Sequence, residues 1–484
     1  MKGSKSALTL GLALACAAIT FSLAVDAQAQ NFSYFTNFSA RDEGSSVMQA
    51  TDGNLYMGGG PGAYNKGAIL RVTPSGGFNV LYSFCSQRGC PDGTYPSTPI
   101  LGSDGNFYGT TDSGGNRFDG GTVYKMTLAG NLTTLYSFCT TNQCPDGAEP
   151  GGIIQASDGN LYGITIGAAI EDSGTLFRVS TTGEFKELHY FCSAANCADG
   201  YEQSTPIQGI DGNLYGTTLL GGTHNGGVLY KLTLAGEYSV LYDFCSLSDC
   251  LDGGGPTGIV QDAEGNFFGT TSAGGKQYRS GDGYGTVFEF TSKNQYIVLD
   301  TFDYVHGDPV GGLTPASDGN LYGATRGEGD DGNGGTVFEV TPTGEITFLN
   351  IFGDSCALDT GFYAIGSIFQ STKGTLYGAT AYGNSVGDCN PNGIGYGTIY
   401  SVSGLTPLVE TAPLAGPVGQ SVIILGNGLT GTTSVTFSSV EAEFTVESDT
   451  YIKATVPTGA KTGVVSVVTP SGTLKSNPQF VVSK

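Results

Sequence analysis

The feature that most constrains this chain is a short motif, Asp-Gly-Asn-Leu-Tyr in its commonest form, that recurs at nearly equal intervals. Successive copies begin 52 to 55 residues apart. A period near 50 residues with strand-like sequence is typical of β-propeller blades. We therefore predict an all-β fold built on a seven-bladed propeller. The copies occupy residues 52–56, 104–108, 158–162, 211–215, 264–268, 318–322 and 373–377.

Each repeat unit has the pattern of four strands separated by glycine-rich turns. The chain contains 79 glycines and only 13% charged residues, and short aromatic and β-branched runs lie between the glycines. The first strand of a unit carries Gly, Ser, Thr, Pro and Ile, whereas the other three carry Tyr and Phe. Blades diverge from a narrow axis. We therefore expect small residues near the axis and aromatic side chains between the blades further out.

The two ends of the repeat region predict how the ring closes. The seventh unit stops after its third strand, at residues 398–402, while residues 32–38 resemble an isolated fourth strand. Pairing these segments would complete the last blade and remove two open sheet edges. We predict that residues 33–38 lie beside the strand at 397–402.

Residues 1–29 have the pattern of a secretory signal peptide. Lys2 and Lys5 precede an apolar run, and Ala27-Gln28-Ala29 supplies small residues at a cleavage site. Cys16 is interpreted as an apolar residue inside that run. The run is too short for a convincing membrane anchor. The prediction is a secreted or cell-surface protein whose mature chain has no transmembrane segment.

The cysteines agree with an oxidising compartment. Ten follow the signal, and eight of them form pairs with four residues between the members. An even number in an exported chain indicates disulfides, and the CxxC spacing and histidine partners of a zinc site are missing. Cys356 and Cys389 are predicted to bond to each other, because their loops should emerge on one face. The four local pairs are Cys85/Cys90, Cys139/Cys144, Cys192/Cys197 and Cys245/Cys250.

The repeat resembles a known family at the level of residues. The succession of Leu-Tyr-Gly-Thr-Thr, a glycine-rich loop, Gly-Thr-Val-Phe, a turn and Leu-Tyr-Ser-Phe is similar to the GloVer tandem repeat of exported bacterial proteins of the choice-of-anchor type. The likeness covers residues 32–402, with departures at Met57 and Lys373. It implies export and a propeller-like repeat, without a defined activity.

Residues 405–484 resemble an IPT/TIG domain. The stretches Gly416-Pro417-Val418-Gly419 and Ala454-Thr455-Val456-Pro457 carry the likeness, and alternating apolar residues with Gly and Pro turns independently indicate an Ig-like sandwich. The expected organisation is a signal peptide at 1–29, the propeller at 30–404 and the sandwich at 405–484. Such domains usually act as spacers or binding modules.

Two groups of residues are candidates for a ligand site. His224 and His306 lie in loops that should share one face with Glu328, Asp330 and Asp331, where a metal or acid–base site is conceivable. Aspartates also recur before the first strand of each unit. They are interpreted either as turn residues bonding their own backbone or as a ring of carboxylates that attracts Ca²⁺ or a cationic ligand. The recurring aspartates are Asp42, Asp92, Asp146, Asp199, Asp252, Asp308 and Asp359.

The function that the sequence favours is non-enzymatic binding outside the cell. The sequence has no GxSxG elbow with a triad order, no HExxH motif and no Walker loop. A net charge of −23 argues against nucleic acid as a partner. We predict a propeller face that binds an extracellular ligand, a glycan or a protein, with the sandwich as spacer or second contact. The alternative is an exported carbohydrate-active enzyme, a hydrolase or lyase, that uses carboxylates on the propeller face. No cofactor is predicted, and the oligomeric state is left open.

Overall fold

The computed structural model describes residues 30–38, 46–60, 62–167, 173–276, 283–327, 334–352, 362–382 and 397–483. The predicted signal peptide, the Cys356/Cys389 pair, Asp42, Asp359 and the acidic loop with Glu328, Asp330 and Asp331 lie outside these residues.

The described chain from residue 30 to residue 403 forms seven antiparallel sheets, which we number from the N-terminal side. The first strand of the chain is β1 (Asn31–Phe38). The first sheet contains β2 (Met48–Gln49), β3 (Leu55–Gly59), β4 (Ala68–Val72) and β5 (Phe78–Ser83); the second, β6 (Thr94–Pro96), β7 (Ile100–Leu101), β8 (Phe107–Ser113), β9 (Thr122–Met126) and β10 (Leu132–Ser137); the third, β11 (Ala148–Gln155), β12 (Leu161–Gly167), β13 (Thr175–Val179) and β14 (Phe185–Tyr190); the fourth, β15 (Tyr201–Gln203), β16 (Ile207–Gln208), β17 (Leu214–Leu220), β18 (Val228–Leu232) and β19 (Tyr238–Asp243).

The remaining three sheets follow the same order, and two short 3-10 helices, Ala195–Cys197 and Ser248–Cys250, precede the fourth and fifth sheets. The fifth sheet contains β20 (Gly254–Gln261), β21 (Phe267–Ala273), β22 (Thr286–Phe290) and β23 (Tyr296–Thr301); the sixth, β24 (Pro309–Pro315), β25 (Leu321–Thr325), β26 (Thr336–Val340) and β27 (Ile346–Ile351); the seventh, β28 (Phe362–Gln370), β29 (Leu376–Tyr382) and β30 (Gly397–Ser403), with β1 as its fourth strand.

The predicted pairing of the chain ends is confirmed. Strand β1 pairs antiparallel with β30, from Asn31 opposite Ser403 to Phe38 opposite Gly397. The seventh sheet also packs on the first, because Val47 and Met57 share a buried cluster with Ile365 and Ile399. The ring of sheets therefore closes through side-chain packing as well as through β1.

The recurring motif makes the turn between the first two strands of each sheet. In the fourth sheet, Asp211 accepts a hydrogen bond from the amide of Asn213 at 3.1 Å and from the hydroxyl of Tyr215 at 2.8 Å. The aspartate thus ties the turn to the strand that follows it. Burial alone would raise the pKa of Asp211, but hydrogen bonds from Lys231, Asn213 and Tyr215 outweigh it and lower the pKa to about 2.

Between neighbouring sheets, aromatic side chains fill the outer part of the contact and small residues lie near the axis, as predicted. Tyr56, Phe84, Phe107 and Tyr124 form a buried cluster between the first two sheets. Near the axis the first strands of neighbouring sheets contact one another. A Cβ added at Gly258 would already be in van der Waals contact, at 3.6 Å, with the Cα of Gly312 in the next sheet, so these strands approach closely because both residues are glycine.

Glutamine side chains link the ends of the first strands around the ring. The side-chain carbonyl of Gln155 accepts the amide of Ser103 at 2.8 Å, and its amide group donates to the carbonyl of Gly159 at 3.0 Å. The carbonyl of Gln49 accepts the amide of Thr372 at 3.0 Å across the closure. Each glutamine satisfies a turn of the preceding sheet. Gln208, Gln261 and Gln370 make the equivalent bonds to Ser157, Ile210 and Ser317.

The C-terminal segment is a β-sandwich with its own core. One sheet has the order β31-β33-β37-β36, the other β35-β34-β38-β39, and β32 pairs parallel with β40. Val422, Ile424, Val435, Val465 and Val467 belong to a cluster of buried residues within this segment. Its strands are β31 (Glu410–Ala412), β32 (Ala415–Pro417), β33 (Ser421–Leu425), β34 (Ser434–Phe437), β35 (Val440–Glu441), β36 (Phe444–Val446), β37 (Tyr451–Thr455), β38 (Val465–Thr469), β39 (Gly472–Lys475) and β40 (Val481–Ser483).

The sandwich docks on the propeller through one face of β33. Successive side chains of a strand point to opposite sides. Val422 and Ile424 therefore enter the sandwich core, whereas Ile423 and Leu425 join the cluster of the first two propeller sheets. The hydroxyl of Thr450 also donates to the carbonyl of Thr51 at 2.5 Å. The docking surface is the propeller face that carries the turns between first and second strands.

Candidate functional site

The aspartates that precede the first strands are engaged inside their own loops. Asp92 accepts hydrogen bonds from the hydroxyl of Tyr82 at 2.9 Å and from the amide of Cys85 at 3.0 Å. Asp252 accepts the hydroxyl of Tyr242 at 2.8 Å. This geometry favours the turn interpretation over an open carboxylate ring. Asp146 and Asp199 are bonded in the same manner, and all four aspartates are buried.

Asp308 was predicted to occupy the same position as these aspartates, but the structure places it elsewhere. Its amide donates to the carbonyl of Tyr284 at 3.2 Å, as the amide of Glu149 donates to Gly120 at 3.1 Å. Asp308 follows Phe302 by six residues, whereas Glu149 follows Phe138 by eleven, because the loop before β24 has no cysteine pair. Asp308 therefore corresponds to Glu149, at the start of the first strand, and not to Asp146.

The four local cysteine pairs are disulfide-bonded in the structure, as predicted. They join Cys85 to Cys90, Cys139 to Cys144, Cys192 to Cys197 and Cys245 to Cys250. Each bond closes the connection from one sheet to the next. The disulfides stabilise the loops that the buried aspartates also hold.

The candidate histidines each have their own acidic partner. His306 lies 2.7 Å from Asp303 through Nδ1 and stacks on Phe348 with ring centres 3.8 Å apart. His224 lies 3.5 Å from Asp243. In the part of the chain that the structure describes, no group of three or more potential metal ligands is assembled. A shared histidine site therefore stays a prediction.

One depression on the disulfide-bearing face brings two glutamates together. It has a volume of about 600 Å³ and lies beside the Cys192–Cys197 disulfide, with Glu149 and Glu202 among its lining residues. Both side chains are exposed. Each is the second residue of the first strand of its sheet, so both lie at the mouth of the ring. These two glutamates are the carboxylate pair that a carbohydrate-active enzyme on this face would use.

A larger cavity lies at the opposite end of the first strands, between propeller and sandwich. Its volume is about 800 Å³. The propeller contributes the strand ends and turns of the first six sheets, including Ile100, Ile154, Ile207 and Val260. The sandwich contributes residues 410–415 with parts of the segments near 464 and 477–481. The walls are therefore mainly aliphatic, and both domains are needed to form them.

Glu410 is the exceptional residue of this cavity. Val409, directly before β31, enters the sandwich core, whereas Glu410, the first residue of β31, lines the cavity. Within the described residues, no hydrogen bond or ion pair reaches its carboxyl group. Burial raises the pKa of Glu410 to about 8. The carboxyl group is therefore mostly protonated at neutral pH, since apolar surroundings disfavour its charged form.

A second unpaired polar group lies beside Glu410. The Nδ2 atom of Asn477 is buried without a hydrogen-bond partner, and Asn477 lines the same cavity. A parallel bridge between Val409 and Ser476 brings the residues that follow them, Glu410 and Asn477, next to each other. We call these two side chains the polar end of the cavity.

The charges around the cavity have one sign. Asp262 and Glu264, in the first turn of the fifth sheet, line it together with Glu410, and the lining residues that the structure describes include no Lys, Arg or His. Asp262 is occupied by its turn, because its carboxylate accepts the amide of Asn266 at 2.8 Å. Glu264 is exposed to solvent, so among the described lining residues Glu410 is the half-buried carboxyl group that no turn engages.

Sequence reasoning placed the candidate ligand face at the opposite end of the ring and did not find this cavity, but one signal pointed to it. The run Val422-Ile423-Ile424-Leu425 lacks the alternation of a half-exposed strand, which indicates a strand covered on both faces. Such a strand predicts that the sandwich packs against another body. Glu410 itself follows no motif, and its role depends on that packing.

Three solved structures that resemble this chain share little sequence identity with it. A putative gluconolactonase shares 15% identity, with 66% of this chain and 95% of that chain covered and a TM-score of 0.37. A luciferin-regenerating enzyme shares 11%, with 78% and 96% covered and a TM-score of 0.40. A putative oxidoreductase (glucose dehydrogenase) from Thermus thermophilus shares 14%, with 77% and 99% covered and a TM-score of 0.39. No curated protein matches the chain.

Family models match almost the whole repeat region and the sandwich. The model of the Gloeobacter/Verrucomicrobia repeat matches residues 15–198 and 192–400, and that of the IPT/TIG domain matches residues 402–482. Among the described residues, the structure has no helix with the length and apolar character needed to cross a membrane. The chain belongs to the Gloeobacter/Verrucomicrobia repeat family and combines a β-propeller of that repeat with a C-terminal IPT/TIG domain.

Proposed function

We propose that this is an exported, non-enzymatic binding protein whose ligand is an apolar small molecule held between the propeller and the IPT/TIG domain. The observation that carries the proposal is the cavity of about 800 Å³. Small-molecule sites typically measure about 300–1,000 Å³ and combine apolar walls with a few polar groups. The cavity fits both criteria.

The composition of the walls supports an apolar ligand over a sugar. A glycan needs many hydrogen-bonding groups along its length. The carbonyl of Gln208 already accepts the amide of Ser157 at 2.8 Å, and that of Gln261 accepts Ile210 at 2.8 Å. The polar groups of the propeller wall are therefore used within the ring, while aliphatic surface is available. Each buried methylene of a ligand contributes about 0.8 kcal/mol.

Export is supported by the disulfides and by the N-terminal sequence. Four disulfides lie within the loops that connect consecutive sheets, and such bonds persist in oxidising compartments. The signal-like pattern of residues 1–29 agrees with that location. The proposed place of action is therefore the periplasm, the cell surface or the medium.

The proposal is tested with the neutral apolar fluorophore N-phenyl-1-naphthylamine and the mature chain, residues 30–484. We expect saturable fluorescence enhancement at one site. Ala263 is exposed in a turn that lines the cavity, so Ala263→Trp should abolish this enhancement by filling the space. Ala129→Trp, at an exposed turn outside the cavity lining, is the matched control and should bind normally. Equal binding by both variants would refute the site.

A second candidate function rests on the depression with Glu149 and Glu202. Glycosidases use two carboxylates about 5–10 Å apart, and these glutamates line one concavity. A panel of polysaccharides incubated with the mature chain tests this alternative. Turnover that is lost in both Glu149→Gln and Glu202→Gln would favour the enzyme, whereas absence of turnover with binding on a glycan array would favour glycan recognition at that face.

A further inference from the structure

We propose that the polar end of the interdomain cavity selects an uncharged head group, so that the ligand is a neutral amphiphile: an apolar body that ends in a hydroxyl group. This inference rests on the proposed function, because it assumes that the cavity is the ligand site. It adds the chemical class of the ligand and the two residues that recognise it.

The polar end combines one donor with one carboxyl group, and neither has a partner within the part of the chain that the structure describes. Asn477 presents Nδ2, which can only donate. Glu410 presents a carboxyl group that can accept and, when protonated, also donate. Leaving a buried polar atom such as Nδ2 of Asn477 without a partner carries a free-energy cost. A ligand group that meets both side chains would recover part of that cost.

An anionic head group is disfavoured by the charge of the walls. Among the described residues of the lining, Asp262, Glu264 and Glu410 are the ionisable groups, and all are acidic. A carboxylate or phosphate in this cavity would have no basic partner there and would face the electrostatic repulsion of Asp262 and Glu264. It would also lose its own hydration, which is expensive for an ion.

A cationic head group is disfavoured for a different reason. An ammonium group donates but cannot accept, so Nδ2 of Asn477 would stay unpaired. It would also require Glu410 to ionise inside aliphatic walls, and the desolvation of both charges offsets much of their attraction. Burial raises the pKa of Glu410 to about 8, which describes a group that stays neutral at physiological pH.

A hydroxyl group satisfies both partners at once. Its oxygen accepts from Nδ2 of Asn477, and its proton is donated to an oxygen of Glu410. The aliphatic body then lies along Ile154, Ile207 and Val260 on the propeller wall. No proton is transferred and no charge is buried in this arrangement.

The experiment compares three molecules that share one chain, decan-1-ol, decylamine and sodium decanoate, as competitors of bound N-phenyl-1-naphthylamine at pH 7. We expect decan-1-ol to displace the fluorophore at a concentration about tenfold lower than either charged analogue, the effect of one well-formed hydrogen-bonded head group. Glu410→Leu and Asn477→Leu should each raise the decan-1-ol concentration required by about fivefold to tenfold, after correction for the fluorophore affinity measured with the same variant.

The outcomes separate the two proposals. Failure of the fluorophore to bind, or binding that Ala263→Trp leaves intact, refutes the cavity as the site. Normal fluorophore binding with decylamine or decanoate as the best competitor overturns the head-group inference and leaves the proposed function standing. Glu410→Gln, a neutral variant of the same size, should retain decan-1-ol binding even if the leucine variants fail to fold. Exposed Glu443 in the same domain supplies the control Glu443→Gln, which should behave as wild type.

Discussion

Replacing Glu410 with glutamine should stabilise the protein at alkaline pH and leave it nearly unchanged at acidic pH. The pKa of Glu410 rises from 4.5 to about 8 on folding, because burial disfavours the charged form. The folded state therefore holds this proton more tightly than the unfolded state does. The contribution of Glu410 to stability is intact below pH 4.5 and is lost progressively as the pH rises to about 8.

The size of the effect follows from the pKa difference. A change of one pKa unit corresponds to about 1.36 kcal/mol, so the full difference sets an upper limit of about 4–5 kcal/mol above pH 8. Glu410 is half-buried, and solvent that reaches it through the cavity screens its charge. We therefore expect about 1–4 kcal/mol. Asp262 and Glu264 line the same cavity, and no lining base compensates an ionised Glu410.

Urea unfolding of residues 30–484 with the disulfides intact measures the effect at pH 4, 7 and 9. The free energy of unfolding of Glu410→Gln should exceed that of wild type at pH 9, by less at pH 7, and should equal it within error at pH 4. Glu443→Gln removes an exposed carboxylate of the same domain and should follow the wild-type profile. Parallel pH profiles for Glu410→Gln and wild type would refute the assignment of Glu410 to an apolar cavity.

Three further predictions concern the architecture. Deleting residues 30–40 should lower the melting temperature sharply, because β1 supplies the outer strand of the seventh sheet; an unchanged melting temperature, or an experimental structure with six or eight blades, would contradict the closure of a seven-bladed ring. Residues 405–484 expressed alone should unfold cooperatively, because their core is complete without the propeller, and a non-cooperative fragment would count against that boundary. Cys356 and Cys389 should appear as one cross-linked peptide in non-reducing mapping, with a chain-entropy contribution of about 3–4 kcal/mol; a free thiol at either position would exclude the bond.

Much of the fold follows from local sequence, because each repeat unit specifies its own strands. The motif at 211–215 predicts a turn and a strand, and the structure adds the hydrogen bond from Tyr215 to Asp211. The closure was also predictable, since one unit lacked a strand that another segment supplied. The predicted equivalence of Asp308 with the other recurring aspartates was wrong. The loop before Asp308 is shorter and has no cysteine pair, so Asp308 takes the position of Glu149 at the start of the first strand. A repeat alignment that counted from Phe302 would have detected the shift.

The candidate site depends on long-range packing and was therefore hidden. Glu410 has no repeat equivalent, and its unusual protonation results from apolar walls that come from separate parts of the chain. The glutamine links between sheets were missed for a similar reason: Gln155 and Gln208 occupy the ends of strands, and their partners belong to the preceding unit. By contrast, Ile423 and Leu425 carried a detectable signal, because an uninterrupted apolar strand must be covered on both faces.

The most direct test of the interdomain cavity as the ligand site is a crystal structure of residues 30–484 with 10-bromodecan-1-ol, with anomalous diffraction measured at the bromine edge. The account predicts a bromine peak among the isoleucines of the propeller wall, with the hydroxyl group of the ligand within hydrogen-bond distance of Glu410 and Asn477. An empty cavity at saturating ligand, or a bromine peak confined to the opposite face near Glu149 and Glu202, would contradict it.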